Sequence, residues 1–161
     1  MDQVFAPLGA PWQPVSEALA KLRRALLFFW VGVLAVVAAV AGWLFTWWLA
    51  VVGVGLAAVI LVWGLWLIPR NWRAWGYSER DDDLLVKHGV LFRKLSVVPY
   101  GRMQFVDVNS GPLERRVGIA TVQLHTASPA TDARIPGLPP DEAARLRDRL
   151  AALGEARAAG L

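Results

Sequence analysis

The chain has 161 residues, of which 56% are hydrophobic and nine are tryptophan, and its net charge is +4. This size and apolar content fit one small soluble domain with a membrane segment better than two globular domains. Cysteine is absent, which excludes a disulfide framework, a thiolate nucleophile and a thiolate metal site.

Residues 1–24 are predicted to form an N-terminal segment that leads into a helix. Pro11 and Pro14 precede Ser16 and Glu17. A serine side chain can accept a hydrogen bond from an early backbone N–H, and an acidic residue in the first turn is favoured by the helix dipole. The first helix is therefore predicted to begin near Ser16, with its initial turns in the membrane interface and Trp12 as a further anchor.

Residues 25–69 contain no ionisable side chain. A single helix of this length, at about 1.5 Å per residue, would be roughly twice as long as the hydrocarbon core is thick. We predict a hairpin of two transmembrane helices at about 25–43 and 47–68, with the break at residues 42–48. A cleaved signal peptide is disfavoured because the apolar segment is too long and a second one follows at once. Neither span contains a charged residue, so the sequence gives no indication of an ion path.

Tryptophans and arginines flank the two predicted spans and are expected to anchor them at the membrane interfaces. The candidate anchors are Trp30, Trp43, Trp47, Trp48, Trp63, Trp66, Arg23, Arg24, Arg70 and Arg73. All four arginines lie on one side of the hairpin, so the positive-inside rule predicts that both termini are cytoplasmic and that the protein is multi-pass. Small residues four apart, such as Gly53 with Ala57, could let the helices approach closely.

Residues 72–153 are predicted to form a cytoplasmic domain. Short apolar runs at residues 84–88, 90–99, 104–110 and 119–126, divided by turn residues, predict an antiparallel meander, and a short last strand is expected around Arg134 and Ile135. Ala143, Leu146, Leu150 and Leu153 recur at helical spacing and predict an amphipathic C-terminal helix. Residues 154–161 are expected to be a frayed tail. The predicted class is α+β, with a partial barrel capped by one helix.

Several motifs in the domain carry a resemblance. The sequence Gly89-Val90-Leu91, Val98-Pro99, Arg102-Met103-Gln104, Gly111-Pro112-Leu113, Arg116, Gly118 and Ala120-Thr121 resembles the YdbS-like bacterial pleckstrin-homology (PH) domain family of small membrane proteins. The resemblance implies a membrane-anchored domain in the bacterial plasma membrane, often found beside a longer relative with repeated copies. It implies no catalytic residues.

Basic residues of the domain are candidates for binding a lipid or a protein partner: Arg93, Lys94, Arg102, Arg115 and Arg116. One alternative is that Arg115 and Arg116 are solvated while Leu113 and Val117 pin the link after Pro112 to the core. The other is a basic surface that meets anionic headgroups. Gly118 is expected to permit an unusual backbone angle or a close approach.

Other chemistry is weakly supported by the sequence. The run Asp81, Asp82 and Asp83 lacks spaced metal ligands and is expected to be a solvated turn, and neither His88 nor His125 has a partner suggested by spacing. We expect no catalytic residues, cofactor, metal, small-molecule substrate or nucleic-acid partner. The predicted function is a non-enzymatic adaptor that binds membrane lipids and a partner protein, either a larger relative or another copy. The alternative is an anionic-lipid-sensing module.

Overall fold

The computed structural model describes residues 11–127 and 131–158. The first ten residues of the predicted N-terminal segment and the last three of the predicted tail lie outside the described residues. The chain forms two compact units: residues 20–70, and a second unit that combines the residues up to 19 with those from 71 onward. The second unit is called the sheet domain below.

Two long apolar helices, α1 (Glu17–Leu44) and α2 (Trp47–Ala74), are joined by Phe45 and Thr46. The hydroxyl of Ser16 accepts a hydrogen bond from the Ala18 N–H at 3.2 Å, as an N-terminal cap should. Both helices are longer than the predicted spans. In particular, α2 continues through Pro69, although proline removes one backbone hydrogen bond from a helix interior.

Small residues bring α1 and α2 together along residues 20–70. A Cβ added at Gly42 would meet Ala50, and one added at Gly53 would meet Ala38, closer than real Cβ atoms approach. Ala57 is buried, in keeping with the predicted small-residue contact. Most other side chains of these helices are exposed, as expected of surfaces that face lipid. The exposed tryptophans include Trp30, Trp43, Trp47, Trp48, Trp63 and Trp66.

The sheet domain contains two antiparallel sheets rather than one meander. The first has the order β1 (Gln13–Pro14), β2 (Gly76–Glu79), β3 (Asp83–His88) and β4 (Lys94–Pro99). The second has the order β5 (Met103–Asn109), β6 (Ala120–Thr126) and β7 (Ala133–Leu138), and a 3-10 helix, Tyr100–Arg102, connects the two. The described strands do not close into a barrel.

Two helices complete the domain, α3 (Pro112–Arg116) and α4 (Pro140–Ala158). The predicted link after Pro112 is thus a short helix, and Leu113 and Val117 are 47% and 37% exposed, so the expectation that they pin this segment to the core was wrong. Helix α4 also continues past Gly154, where the frayed tail was expected. One glycine costs an exposed helix only about 1 kcal/mol relative to alanine, which does not by itself end it.

The core of the domain lies between the sheets and α4. Ala143, Leu146 and Leu150 of α4 are fully buried, as are Val122 and Leu124 of β6. The predicted apolar stripe of α4 therefore packs on β5, β6 and the 3-10 helix.

The segment before α1 is part of this domain. Gln13 and Pro14 pair with Tyr77 and Gly76 of β2, and the Ser16 N–H donates to the Gly137 carbonyl at 2.8 Å. Residues 13 and 14 were predicted as part of an N-terminal segment at the membrane interface, whereas they supply an edge strand. This pairing has no sequence signal, since two residues show no periodicity.

Candidate functional site

The five basic candidates all lie on the surface of the sheet domain. Arg93 and Lys94 are at the start of β4, Arg102 ends the 3-10 helix, and Arg115 and Arg116 end α3; all five side chains are exposed. All five side chains therefore lie at the solvent-exposed surface of the domain.

The sheets separate Arg102 from the other four. Arg102 precedes β5, while Arg115 and Arg116 follow it, and a seven-residue strand spans about 23 Å. Lys94 begins β4 and Arg102 lies beyond the end of that strand. Arg115 also has a local structural role, because its Nε donates to the Ser110 carbonyl at 3.0 Å. The single surface predicted from these residues is thus divided between the ends of two strands.

Strand β5 lies at an edge of its sheet, with β6 as its neighbour among the described strands. Phe105 on this strand is 52% exposed, and its ring stacks on that of His125 with centroids 4.4 Å apart. The imidazole lies between two carboxylates, with Nδ1 3.3 Å from Asp132 Oδ2 and Nε2 3.6 Å from Asp107 Oδ2. Stacking and these contacts hold an aromatic ring at the surface beside the open edge.

Gly118, in the turn between α3 and β6, has the unusual backbone angle that its sequence position suggested. Its φ is +67°, and a Cβ placed there would have no contact within 4 Å. The glycine is therefore required for its backbone angle and not for a close approach.

A partly buried polar network in the same domain was not predicted from the sequence. The Tyr77 hydroxyl lies 2.8 Å from Glu142 Oε1 and 2.6 Å from Gln13 Oε1. A hydroxyl has one proton and a carboxylate only accepts, so Tyr77 donates to Glu142. Both contacts are satisfied if the Gln13 amide is oriented with its NH₂ toward the hydroxyl. Burial, followed by the bond to Glu142, raises the pKa of Tyr77 well above its usual range.

Two arginines of α4 extend this network to β2. Arg145 donates to Glu142 at 2.6 Å and to Glu79 at 2.7 Å. Arg149 Nε is 3.1 Å from the other oxygen of Glu79, close enough for an ion pair but not aligned as a hydrogen bond. The bond from Arg145 lowers the pKa of Glu142, while the Glu79 side chain is only 7% exposed. These pairs join β2 to α4, and the contact between Tyr77 and Gln13 adds β1.

The network lines a cleft of about 970 Å³ in the sheet domain. The charged groups that line the cleft pair with one another, and these ion pairs hold α4 against β2. The sequence gives only part of this signal: Arg145 and Arg149 lie beside the apolar stripe of α4, but their partner Glu79 is distant along the chain.

The residues considered for metal binding do not assemble a site within the described parts of the chain, where no group of three His, Cys, Asp or Glu side chains could hold an ion. Asp82 pairs with Arg157 of α4. His88 stacks on Trp75 with centroids 4.7 Å apart, and burial together with the charge of Lys94 lowers its pKa.

The match to a family model decides the identity of the chain. Residues 18–154 match the bacterial PH domain family, bPH_2. The chain belongs to this family. It is also 34% identical over 90 residues to the UPF0699 transmembrane protein YdbS of Bacillus subtilis (strain 168), a match that covers 55% of each chain. No solved structure matches.

Membership in the bacterial PH domain family confirms the resemblance and the fold class. Helices α1 and α2, of 28 residues each, are long and apolar enough to cross a membrane, and the YdbS relative is a transmembrane protein. Two antiparallel sheets and a C-terminal helix follow them, as the fold class requires.

The flanking tryptophans and arginines are spaced along each helix at about the thickness of a membrane core. Trp43 is nineteen positions after Arg24, and Trp66 is nineteen positions after Trp47. Each interval spans about 28 Å of helix, close to the thickness of the hydrocarbon core. Trp30 lies about 9 Å further along α1 than Arg24, which is deeper than an interfacial anchor. The anchoring roles of these residues stay predictions.

Proposed function

We propose that the chain is a non-enzymatic adaptor that holds a partner-binding bacterial PH domain at the cytoplasmic face of the plasma membrane. The family and the transmembrane relative support a membrane-anchored domain. The pairing of the cleft's arginines with its carboxylates supports a role other than catalysis. Both termini would be cytoplasmic, in keeping with the arginines that flank the hairpin.

The observation that carries the proposal is the open edge of β5. This seven-residue strand has β6 on one side, so the backbone groups along its other side can pair with an added strand. Phe105 is exposed beside that edge. An extended segment of a partner protein can therefore gain main-chain hydrogen bonds from β5 and an apolar contact from Phe105.

The charges near this edge suggest which segment would bind. Arg102 lies before β5, and Arg115 and Arg116 lie after it, so acidic residues near both ends of the segment would be favoured. The partner is a larger relative with repeated PH-like domains or a second copy of this chain. If the partner lies in the same membrane, anchoring raises its effective concentration, and a weak contact suffices.

Site-specific photo-cross-linking in bacterial membranes tests this proposal with the full chain. A photoreactive residue at Gln104 should give a discrete protein adduct, which Phe105→Lys should abolish because lysine protects a sheet edge from pairing. The matched control is Val97→Lys on β4, the edge of the other sheet, where Val97 is 45% exposed. An adduct that survives Phe105→Lys, or one that Val97→Lys removes equally, would contradict binding at β5.

A further inference from the structure

The hairpin between β3 and β4 presents an apolar tip. Leu91 and Phe92 are 72% and 89% exposed, and Phe92 is the most exposed large hydrophobic side chain in the described parts of the chain, above even Trp43 in the transmembrane hairpin. Residues 90–93 were predicted to belong to a strand, but β4 begins only at Lys94. Two adjacent exposed apolar side chains favour contact with a surface that is itself apolar.

The backbone of this hairpin is regular. Six residue pairs join β3 to β4, from Asp83 with Pro99 to His88 with Lys94. Gly89 then turns the chain with a φ of +100°, and a Cβ at this position would collide with the Phe92 carbonyl. The turn therefore depends on glycine, and it places the two apolar side chains at the end of a paired ladder.

The tip lies at the end of the sheet where the chain enters from α2. Gly76, two residues after that helix ends, pairs with Lys87, and the ring of Trp75 stacks on His88. The tip begins with the residue after His88. Three or four extended residues span about 10 to 13 Å, so Leu91 and Phe92 lie within that distance of His88, whose ring stacks on Trp75.

Charge at the tip matches a bacterial membrane surface. Arg93 and Lys94 follow the apolar pair directly, and both are exposed. Interfacial segments combine apolar side chains that enter the headgroup and acyl boundary with basic residues that meet anionic lipid. A chain entry from a transmembrane helix, an apolar tip and a basic flank occur together here at one end of one sheet.

We propose that Leu91 and Phe92 insert into the interface of the membrane that holds the protein's own helices, while Arg93 and Lys94 contact anionic headgroups. The bound ligand is thus the lipid surface itself. This contact uses the first sheet and is independent of the proposed partner site on β5 of the second. It would hold the domain close to the membrane and limit the orientations from which β5 meets a partner.

The experiment uses the full chain reconstituted in mixed phosphatidylcholine and phosphatidylglycerol vesicles. Because the chain has no cysteine, Leu91→Cys gives a single site for an environment-sensitive fluorophore. Leu113→Cys on α3 is the matched control, since it replaces another exposed leucine of the same domain. Iodide should quench the label at position 91 at least about fivefold less than the label at 113, and nitroxide lipids should quench only the label at 91.

Charge reversal then tests the basic flank. Arg93→Glu with Lys94→Glu, in the Leu91→Cys chain, should restore iodide quenching in the anionic vesicles. Equal iodide quenching at positions 91 and 113 would overturn insertion. Protection from iodide without quenching by nitroxide lipids would also overturn it, because the tip would then be covered by protein. Insertion that is unchanged by charge reversal or by pure phosphatidylcholine would overturn the role of the anionic headgroups.

Discussion

Removing the Tyr77 hydroxyl should loosen the attachment of β1 and α4 to β2. The hydroxyl donates to the ionised Glu142 carboxylate at 2.8 Å, and Tyr77 is 1% exposed. A hydrogen bond to a charged group contributes about 1.5–3 kcal/mol, against about 0.5–1.5 kcal/mol for a neutral pair. Since the Glu142 side chain is 29% exposed and water can replace part of the lost bond, we expect Tyr77→Phe to cost about 1.5–2 kcal/mol.

Tyr100→Phe is the matched control for this prediction. Tyr100 is also fully buried, but its hydroxyl donates to a neutral acceptor, the Arg80 carbonyl, at 2.9 Å. The same atom is deleted in both variants, and the packing of the ring is kept. We expect about 1 kcal/mol for this neutral pair.

Hydrogen exchange on the full chain in detergent measures the effect locally. Amide protons of β2 and β3 should exchange about 10-fold or more faster in Tyr77→Phe, because about 1.4 kcal/mol corresponds to a factor of ten in the opening equilibrium. Exchange in β2 that is no faster in Tyr77→Phe than in Tyr100→Phe would refute the charged bond as the stronger of the two.

Two further predictions concern the ion pairs and the helix contact. The lowered pKa of Glu142 means that its ionised form stabilises the fold at neutral pH. This contribution is lost as the pH falls from the group's ordinary pKa of 4.5 toward its lower pKa in the folded state. The stability difference between the native chain and Glu142→Gln, measured by denaturant unfolding, should therefore shrink between pH 7 and pH 3. In the hairpin, Gly53→Leu should separate the helices at Ala38 and lower the free energy of unfolding by about 1–3 kcal/mol. The control Gly55→Leu should be nearly neutral, because a Cβ at that position meets nothing within 4 Å. Unfolding in mixed micelles measures both variants, and equal effects would contradict close packing at Gly53.

The hairpin and the C-terminal helix could be predicted because their signals are local. A charge-free run of known length is enough to require two spans, and the stripe through Leu146 and Leu150 is visible at helical spacing. Helix α2 continues beyond the predicted span and past Pro69, and its last turn makes a contact that is distant in sequence. The Trp72 indole N–H donates to the carbonyls of Val15 and Ser16 at 3.0 and 3.1 Å.

The surfaces proposed to bind ligands were harder to predict. Val90, Leu91 and Phe92 look like a continuation of the strand, and only the geometry at Gly89 shows that they form the loop. The basic residues could be identified from the sequence by their charge, but the sequence does not show at which end of a strand each one lies. Strand β5 lies between Arg102 and Arg115, so the strand pairing in the folded domain determines which of these charges can contact the same ligand.

The described structure makes the transmembrane hairpin an insertion within the sheet domain. Strand β1 comes before the hairpin and pairs with β2, which comes after it, while Trp72 binds the segment that leads into α1. Leu19, close to the start of α1, is buried in the domain, where a Cβ on Gly137 would lie 2.8 Å from its own Cβ. The segments on both sides of the hairpin are therefore part of the sheet domain, which is built from residues before the hairpin as well as from those after it.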